Sequence, residues 1–521
     1  MRQSTHWLWA VVLGVASVAG PGAALLGCHV NESDVKRWAT TEHGPDKLVA
    51  VMTHDKYDWQ LRDEAALELI QMKPRSGRRV GINRLVEALA QMTPDDRKKI
   101  VSDIRPAIVA ELKQAPPAAA AGQAAPADPS YAYKDATMAM LTYDRAVLVS
   151  DDTDRKELTD GLVYWSSHDF DRRLDNTTQM FGMEQLMRTI GASAVKGLPP
   201  LITLDSSKYD RIASLVSEIG DQPTKEATAA KLVELAKYTN SQAWIDKQKA
   251  GVEEANKASK ISATADQLNR QLAQYQDESL NKVFAALKKV GTRPAVDYCL
   301  AIAADKTQNE KRRQAALAAL EGRVDRSNPG DIEKVLAIAS ADDTPDSVRD
   351  LAFQRIGEMP RDQVVNKLYS MFGSRKWKVR WVAATTVLKM SSTDQLPEFM
   401  AKLPVAGLAL SEPLTYGGAI DKMTVTKGPK PRDAVMPFLK EGSVSARLAA
   451  LGYFYAAGKA SDAAMLNQFD SDRTLIPKTD DPEGKWQCDV SKADGKESET
   501  KDVSSLGDFV RFCVLPAVKT R

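Results

Sequence analysis

The side chains able to carry chemistry are sparse in this 521-residue chain, which holds five His and four Cys among 71 basic and 69 acidic residues. His54-Asp55 and His168-Asp169 join a nitrogen base to a carboxylate, a pairing that can ligate a metal or relay a proton. His54, however, precedes an expected inter-helix turn, where such residues are solvated rather than coordinating. Asp151-Asp152, Asp342-Asp343 and Asp480-Asp481 are paired carboxylates, the type used for general acid–base work. Their turn contexts fit helix caps or solvated loops instead. No G-x-S-x-G, Walker loop, G-x-G-x-x-G, H-E-x-x-H or C-x-x-C occurs. The sequence therefore predicts no catalytic residue, no metal site and no cofactor. A formal net charge of +2 provides no global field to hold a polyanion, so nucleic acid is excluded as a general partner.

Cys28 is the one residue whose context specifies a covalent fate. Arg2 precedes an apolar stretch from Trp7 to Ala19, followed by Gly20, Pro21 and Gly22, which has the length of a secretory segment rather than a full membrane span. Leu25-Leu26-Gly27-Cys28 then resembles the bacterial lipobox, with an aliphatic residue at −3, a small one at −1 and Cys at +1. The resemblance implies removal of residues 1–27 and acylation of Cys28; the alternative is an uncleaved anchor from Leu8 to Leu26. Either would tether the body on the exported side of a membrane, and His29, rather than Asp, after the Cys leans toward the outer membrane. With Cys28 lipidated and the compartment oxidising, Cys488 and Cys513 are expected to form a disulfide and Cys299, in an apolar run, to be a buried small hydrophobe.

The elements that position these residues repeat. Five segments align without gaps, beginning at Arg62, Arg313, Arg349, Arg380 and Arg447, each with Ala three residues later and a large apolar residue seven later. Those offsets share one helical face, presenting a small residue where a neighbour crosses and a bulky one a turn on. Successive arginines 313, 349 and 380 are spaced for one helix pair with its turns. The segment from Asp343 to Arg349, D-T-P-D-S-V-R, resembles the turn and second-helix start of HEAT repeats. That resemblance implies an α-solenoid in which Asp343 and Arg349 belong to a polar ladder between successive repeats, along with Arg62, Arg313, Arg380 and Arg447. The His-Glu dipeptides with which one class of HEAT-repeat enzymes holds di-iron are missing from the sequence.

Aromatics break the repeat's own rule at two places. The slot after the repeat Arg is polar, hence expected exposed, at Asp63, Gln314 and Asp350, but is Trp381 in the fourth copy. Arg375, Lys376, Trp377 and Lys378 stand just before it, and Tyr453 fills a slot held elsewhere by Glu68 and Arg355. Exposed aromatics beside cations anchor interfaces, so these residues are candidates for partner binding; the alternative is that Trp381 packs beneath a neighbouring loop.

The resulting expectation is an all-α chain, an α-solenoid of HEAT-like repeats with a small irregular disulfide-closed C-terminal segment. Its parts are a signal peptide (1–27), an N-terminal helical block (28–113), an Ala/Pro-rich linker (114–130), degenerate helical repeats (131–240), a polar long-helix or coiled-coil-like insertion (241–279), HEAT-like repeats (280–469) and the cap (470–521). The insertion is either a protruding hairpin or a long repeat helix with a wet face. The function expected is a lipid-anchored, non-enzymatic scaffold of the bacterial cell envelope, facing periplasm or cell surface and binding envelope proteins. Alternatives are an assembly or chaperone-like factor, a binder of glycan or anionic components, or an enzyme whose site no short motif reveals.

Overall fold

A computed structural model of the chain describes residues 30–118, 126–175, 180–259, 264–324, 328–404, 407–477, 486–491 and 498–521. The signal segment and Cys28 lie outside the described residues. The chain forms two compact units, Met1–Leu186 and Met187–Arg521, and apart from one strand pair the regular elements among the described residues are helices.

After a short helix, Glu32–Trp38, the first unit forms a repeat-like pair, Gly44–Thr53 and Trp59–Gln71, the latter started by Asp58, whose carboxylate accepts the Leu61 amide at 2.8 Å. The unit then departs from a simple stack. The helix Ser130–Thr142 touches Trp59–Gln71, Val80–Gln91, Pro94–Leu112 and Asp152–Ser167, and every residue from Ser130 to Met140 is buried. A helix buried all round is a core element. The Ala/Pro-rich run, expected to divide the chain at 114–130, therefore does not separate compact units, because the helix after it packs into the block before it. The boundary falls instead inside the stretch assigned to degenerate repeats, between residues 186 and 187.

The second unit is a stack. Arg293–Ala304 pairs with Glu310–Ala319, Pro329–Ser340 with Asp346–Gly357, and Arg361–Ser370 with Trp377–Lys389. Each second helix also packs on the next, from Ala265–Val290 through those three to Ser411–Asp421 and Val444–Ala457. Neighbour-only packing of this kind defines a solenoid. The repeat's small and large residues form its seam, since Ala316, Ala352, Ala383 and Ala450, with Leu320, Ile356, Val387 and Phe454, are all buried.

The repeat arginines have a role that the ladder expectation missed. Arg62 Nε donates to the Met52 carbonyl at 2.8 Å, Arg313 Nε to Ala303 at 2.9 Å and Arg349 Nε to Ala339 at 3.2 Å. Each acceptor is the penultimate residue of the partner helix. A helix C-terminus carries carbonyls without intrahelical donors at the negative end of its dipole, and a buried guanidinium satisfies both. Arg447 does likewise at Leu439 (3.2 Å), and Arg380 binds the Ser374 and Arg375 carbonyls. Asp343 and Arg349 take part in different contacts. Asp343 bonds Lys306 of the preceding pair at 2.6 Å, and Arg349 bonds its own Asp346 at 2.6 Å.

Residues 241–279 resolve into a helical hairpin, Gln242–Ser259 against Ala265–Val290, with 260–263 outside the described residues. Trp244 and Tyr275 meet at 5.3 Å across it, and Leu268 and Leu272 are buried. The first helix otherwise keeps a largely wet surface.

At the C-terminus, strands Gln487–Ser491 and Ser498–Asp502 pair antiparallel, and Cys488 is disulfide-bonded to Cys513 with Cα atoms 5.6 Å apart. The cap is better packed than its polar composition suggests, as Leu506, Phe509, Val510, Val514 and Val518 are fully buried. Cys299 is buried, and that burial pushes its thiol up to about 12.

Candidate functional site

The second helices of the second unit share a face. Aligning the repeat arginines puts Gln314, Asp350 and Trp381 at one register position. Contacts across neighbouring pairs follow the same line, with Gln314 bonded to Ser347 and Lys378 Nζ 2.9 Å from Asp346. A groove of about 540 Å³ opens on this face, lined by Phe284, Lys288, Lys311, Gln314, Ala315 and Leu351 among others.

Beyond the groove, Trp377 and Trp381 lie in contact, ring centroids 5.7 Å apart, with Lys378 Nζ 5.9 Å above Trp377. Both tryptophans are half-buried, and the Trp381 Nε1–H, although buried, meets no acceptor among the described residues. Lys376 is committed to the Asp342 carbonyl, whereas the exposed Arg375 side chain makes no ion pair among the described residues. Of the five candidates Trp377 thus contacts both Trp381 and Lys378, whereas Lys376 is turned to Asp342 and Arg375 stands in solvent.

Tyr453 does not join them. It is 6% exposed and packs edge-on against Phe454 at 5.3 Å. Its helix, Val444–Ala457, crosses Ser411–Asp421 so closely that a Cβ on Gly452 would lie 1.9 Å from the Pro413 carbonyl oxygen. The pair of glycines at this crossing, Gly417 and Gly452, draws the Tyr453 slot into the interior.

Asp63 is a second departure from the expected exposed slot. It is half-buried, and burial first, then the charge of Asp103, raises its pKa from 3.8 to about 7, against the lowering by Lys99. A carboxyl raised in the folded state holds its proton there at pH values where the unfolded chain has lost it. Its contribution to stability is therefore present at acid pH and is lost as pH rises from about 4 to 7. With screening at a half-exposed site the loss is about 1 kcal/mol. Asp63→Asn is expected to flatten urea-unfolding stability across this window, and an unchanged slope would contradict it.

Of the remaining candidates, Asp480-Asp481 lie outside the described residues. His54 Nδ1 lies 2.9 Å from Asp55 at an exposed turn, and His168 stacks on Tyr164 at 4.0 Å. Asp151 caps Asp152–Ser167 by accepting the Thr153 and Asp154 amides. Among the described residues no three His, Cys, Asp or Glu side chains converge as metal ligands.

A polar cluster in the first unit escaped the sequence reading. Lys134 and Asp135, both fully buried, bond each other at 2.6 Å, and Asp135 also accepts Arg79 Nε and the amides of Met180 and Phe181. Burial lowers Lys134 to about 8 even though Asp135 raises it. Lys134 and the fully buried Arg173 both lie over the Trp165 ring, at 5.6 and 4.4 Å. The available signal was a Lys-Asp dipeptide inside the otherwise apolar run Tyr131–Met140.

No family model matches the chain, and no curated protein does. Solved structures similar to it include the karyopherin Kap121p bound to the extreme C-terminus of the protein phosphatase Cdc14p, at 13% identity and TM-score 0.29, covering 84% of this chain and 47% of that one. Kap95p with RanGDP is similar at 10% identity and TM-score 0.23, covering 85% and 63%. The SYS-1/POP-1 complex follows at 10% and 0.18, covering 81% and 83%. The chain spans about half the length of the Kap121p structures it matches. Its own packing defines the class: an all-α protein with a solenoid of HEAT-like helix pairs and a disulfide-closed cap.

Proposed function

We propose that this chain is a non-enzymatic, protein-binding scaffold of the bacterial cell envelope, tethered through lipidated Cys28 and engaging its partner on the second-helix face of the second unit. The observation that carries the reading is the Trp377–Trp381 pair, half-exposed beside Lys378 and Arg375 and in line with an apolar-floored groove. Aromatic residues flanked by cations are the types on which binding energy concentrates. The Cys488–Cys513 disulfide supports an oxidising compartment, and the lipobox-like Leu25–Cys28 supports the tether. The unpaired Arg375 favours an acidic partner surface, or an anionic envelope component as the second reading.

The test is affinity purification of C-terminally tagged protein from solubilised membranes. Trp377→Ala/Trp381→Ala is expected to weaken partner capture about 10-fold or more with the melting temperature of the second unit kept, since hot-spot truncations cost about 2 kcal/mol or more. Cys28→Ala is expected to abolish metabolic labelling by a fatty acid. Undiminished capture by the Trp variant would reject the face, and retained labelling would reject the tether.

A further inference from the structure

The first unit contains a cavity of about 590 Å³ bounded by the end of Trp59–Gln71, residues 126–129 and the start of the central helix. Three cations line it, Lys73, Arg79 and Arg172, with Asp128 and the buried rings of Tyr131 and Tyr133. Asp128 does not neutralise them. Its Oδ1 accepts the Ser130 amide at 3.0 Å and the Ser130 hydroxyl at 2.5 Å, and its Oδ2 lies 3.5 Å from Arg173 Nη2 behind the wall.

Arg79 is held in place by the fully buried Asp135, to which its Nε donates at 3.1 Å, while its two terminal amino groups make no bond among the described residues. Arg172 is oriented by Asp169 through Nε and reaches the Pro117 carbonyl with Nη1 at 3.4 Å. Lys73 is exposed and has no ion pair or hydrogen bond among the described residues. Counting the lining residues and those bonded to them, Lys73, Arg79, Arg172 and Arg173 stand against Asp128, Asp135 and Asp169. Four cations over three carboxylates leave one positive charge, and on the cavity wall itself three cations face the single carboxylate of Asp128.

We propose that this cavity binds a small phosphate-bearing ligand. Arg79 presents a fork that is already oriented by a buried carboxylate, the geometry that suits bidentate recognition of a tetrahedral oxyanion. Arg172 and Lys73 supply further charge at the mouth, so three cations on the wall can share the oxygens of one phosphate group. The volume is that of a small-ligand site rather than of a bare ion, leaving room for an organic group beside Tyr131 and Tyr133. The same phosphate chemistry is offered by a free ester and by a lipid headgroup.

Titration calorimetry on the full-length protein in detergent, at fixed ionic strength, tests this with three probes: inorganic phosphate, glycerol 3-phosphate and dihexanoyl phosphatidylglycerol. Saturable one-to-one binding of at least one probe is expected. Lys73→Gln/Arg172→Gln, both at the cavity mouth and outside the core, should weaken it 10-fold or more. Arg79→Lys, which keeps a cation for Asp135 but loses the fork, should also weaken it with folding retained. Tighter binding of the short-chain lipid than of glycerol 3-phosphate assigns a headgroup, and the reverse order assigns a soluble ester. Absence of saturable binding by all three probes, or equal affinity in wild type and the Lys73/Arg172 variant, overturns the proposal.

Discussion

Arg380→Ala is expected to destabilise the second unit by about 3–5 kcal/mol, the cost of leaving a buried charge without its partner. The charge left behind is that of Glu412, which is fully buried and bound by Arg380 Nη2 at 2.9 Å, the Ala409 amide at 2.7 Å and the Tyr416 hydroxyl at 3.0 Å. Burial already pushes the Glu412 carboxyl upward, with Arg380 the chief opposing influence. Removing Arg380 also strips the Ser374 carbonyl of its donor. Urea unfolding at neutral pH reads the effect. Arg380→Met/Glu412→Leu should recover most of the loss, because exchanging both members of a buried pair for apolar groups is often nearly neutral. A single variant within about 0.5 kcal/mol of wild type would show that the pair is not the buried, desolvated contact described above.

Gly452→Ala should be comparably damaging, at about 3 kcal/mol or more, although alanine is the better helix former by about 1 kcal/mol. The added methyl would meet the Pro413 carbonyl at 1.9 Å, and one on Gly417 would meet the Gly452 carbonyl at 2.0 Å. Both obstacles are backbone, so no side chain can rotate away and the helices must part. Gly418 supplies the internal control. One residue along the same helix, its new Cβ would meet only Ala456 at 3.9 Å. Gly418→Ala should therefore leave stability unchanged or raise it by up to about 1 kcal/mol. Thermal unfolding of the two variants side by side checks the contrast, and equal melting temperatures would refute the crossing geometry.

The seam of the solenoid was legible because it depends on periodicity: an Ala and a bulky residue at fixed offsets from an Arg can lie on only one face of a helix. The disulfide was legible because only two cysteines remained in the polar tail. Other features depend on contacts that no local pattern encodes. The identity of the arginine's acceptor is a backbone carbonyl, which has no residue type to be read. The burial of Tyr453 follows from Gly417, more than thirty residues earlier, and from the close approach that two glycines permit together. The central helix was set apart because the Ala/Pro run before it has the composition of a linker, and no local pattern shows that Lys134 and Asp135 are buried. They neutralise each other and recruit Arg79 from a distant helix. The basic tryptophan patch was visible as a rule broken in one repeat, and the basic cavity was not, because its cations come from separate segments.

The bond from Arg62, Arg313 and Arg349 to the end of the partner helix also constrains length. In the Arg62, Arg313 and Arg349 pairs donor and acceptor are 10 residues apart, whereas the distance from one repeat arginine to the next varies freely along the chain. The guanidinium works as a gauge: an insertion in the turn inside a pair would carry the carbonyl out of its reach and strand a buried charge. An insertion between pairs only lengthens an exposed connection. Lineages of this protein should accordingly accumulate length changes between hairpins and almost none within them.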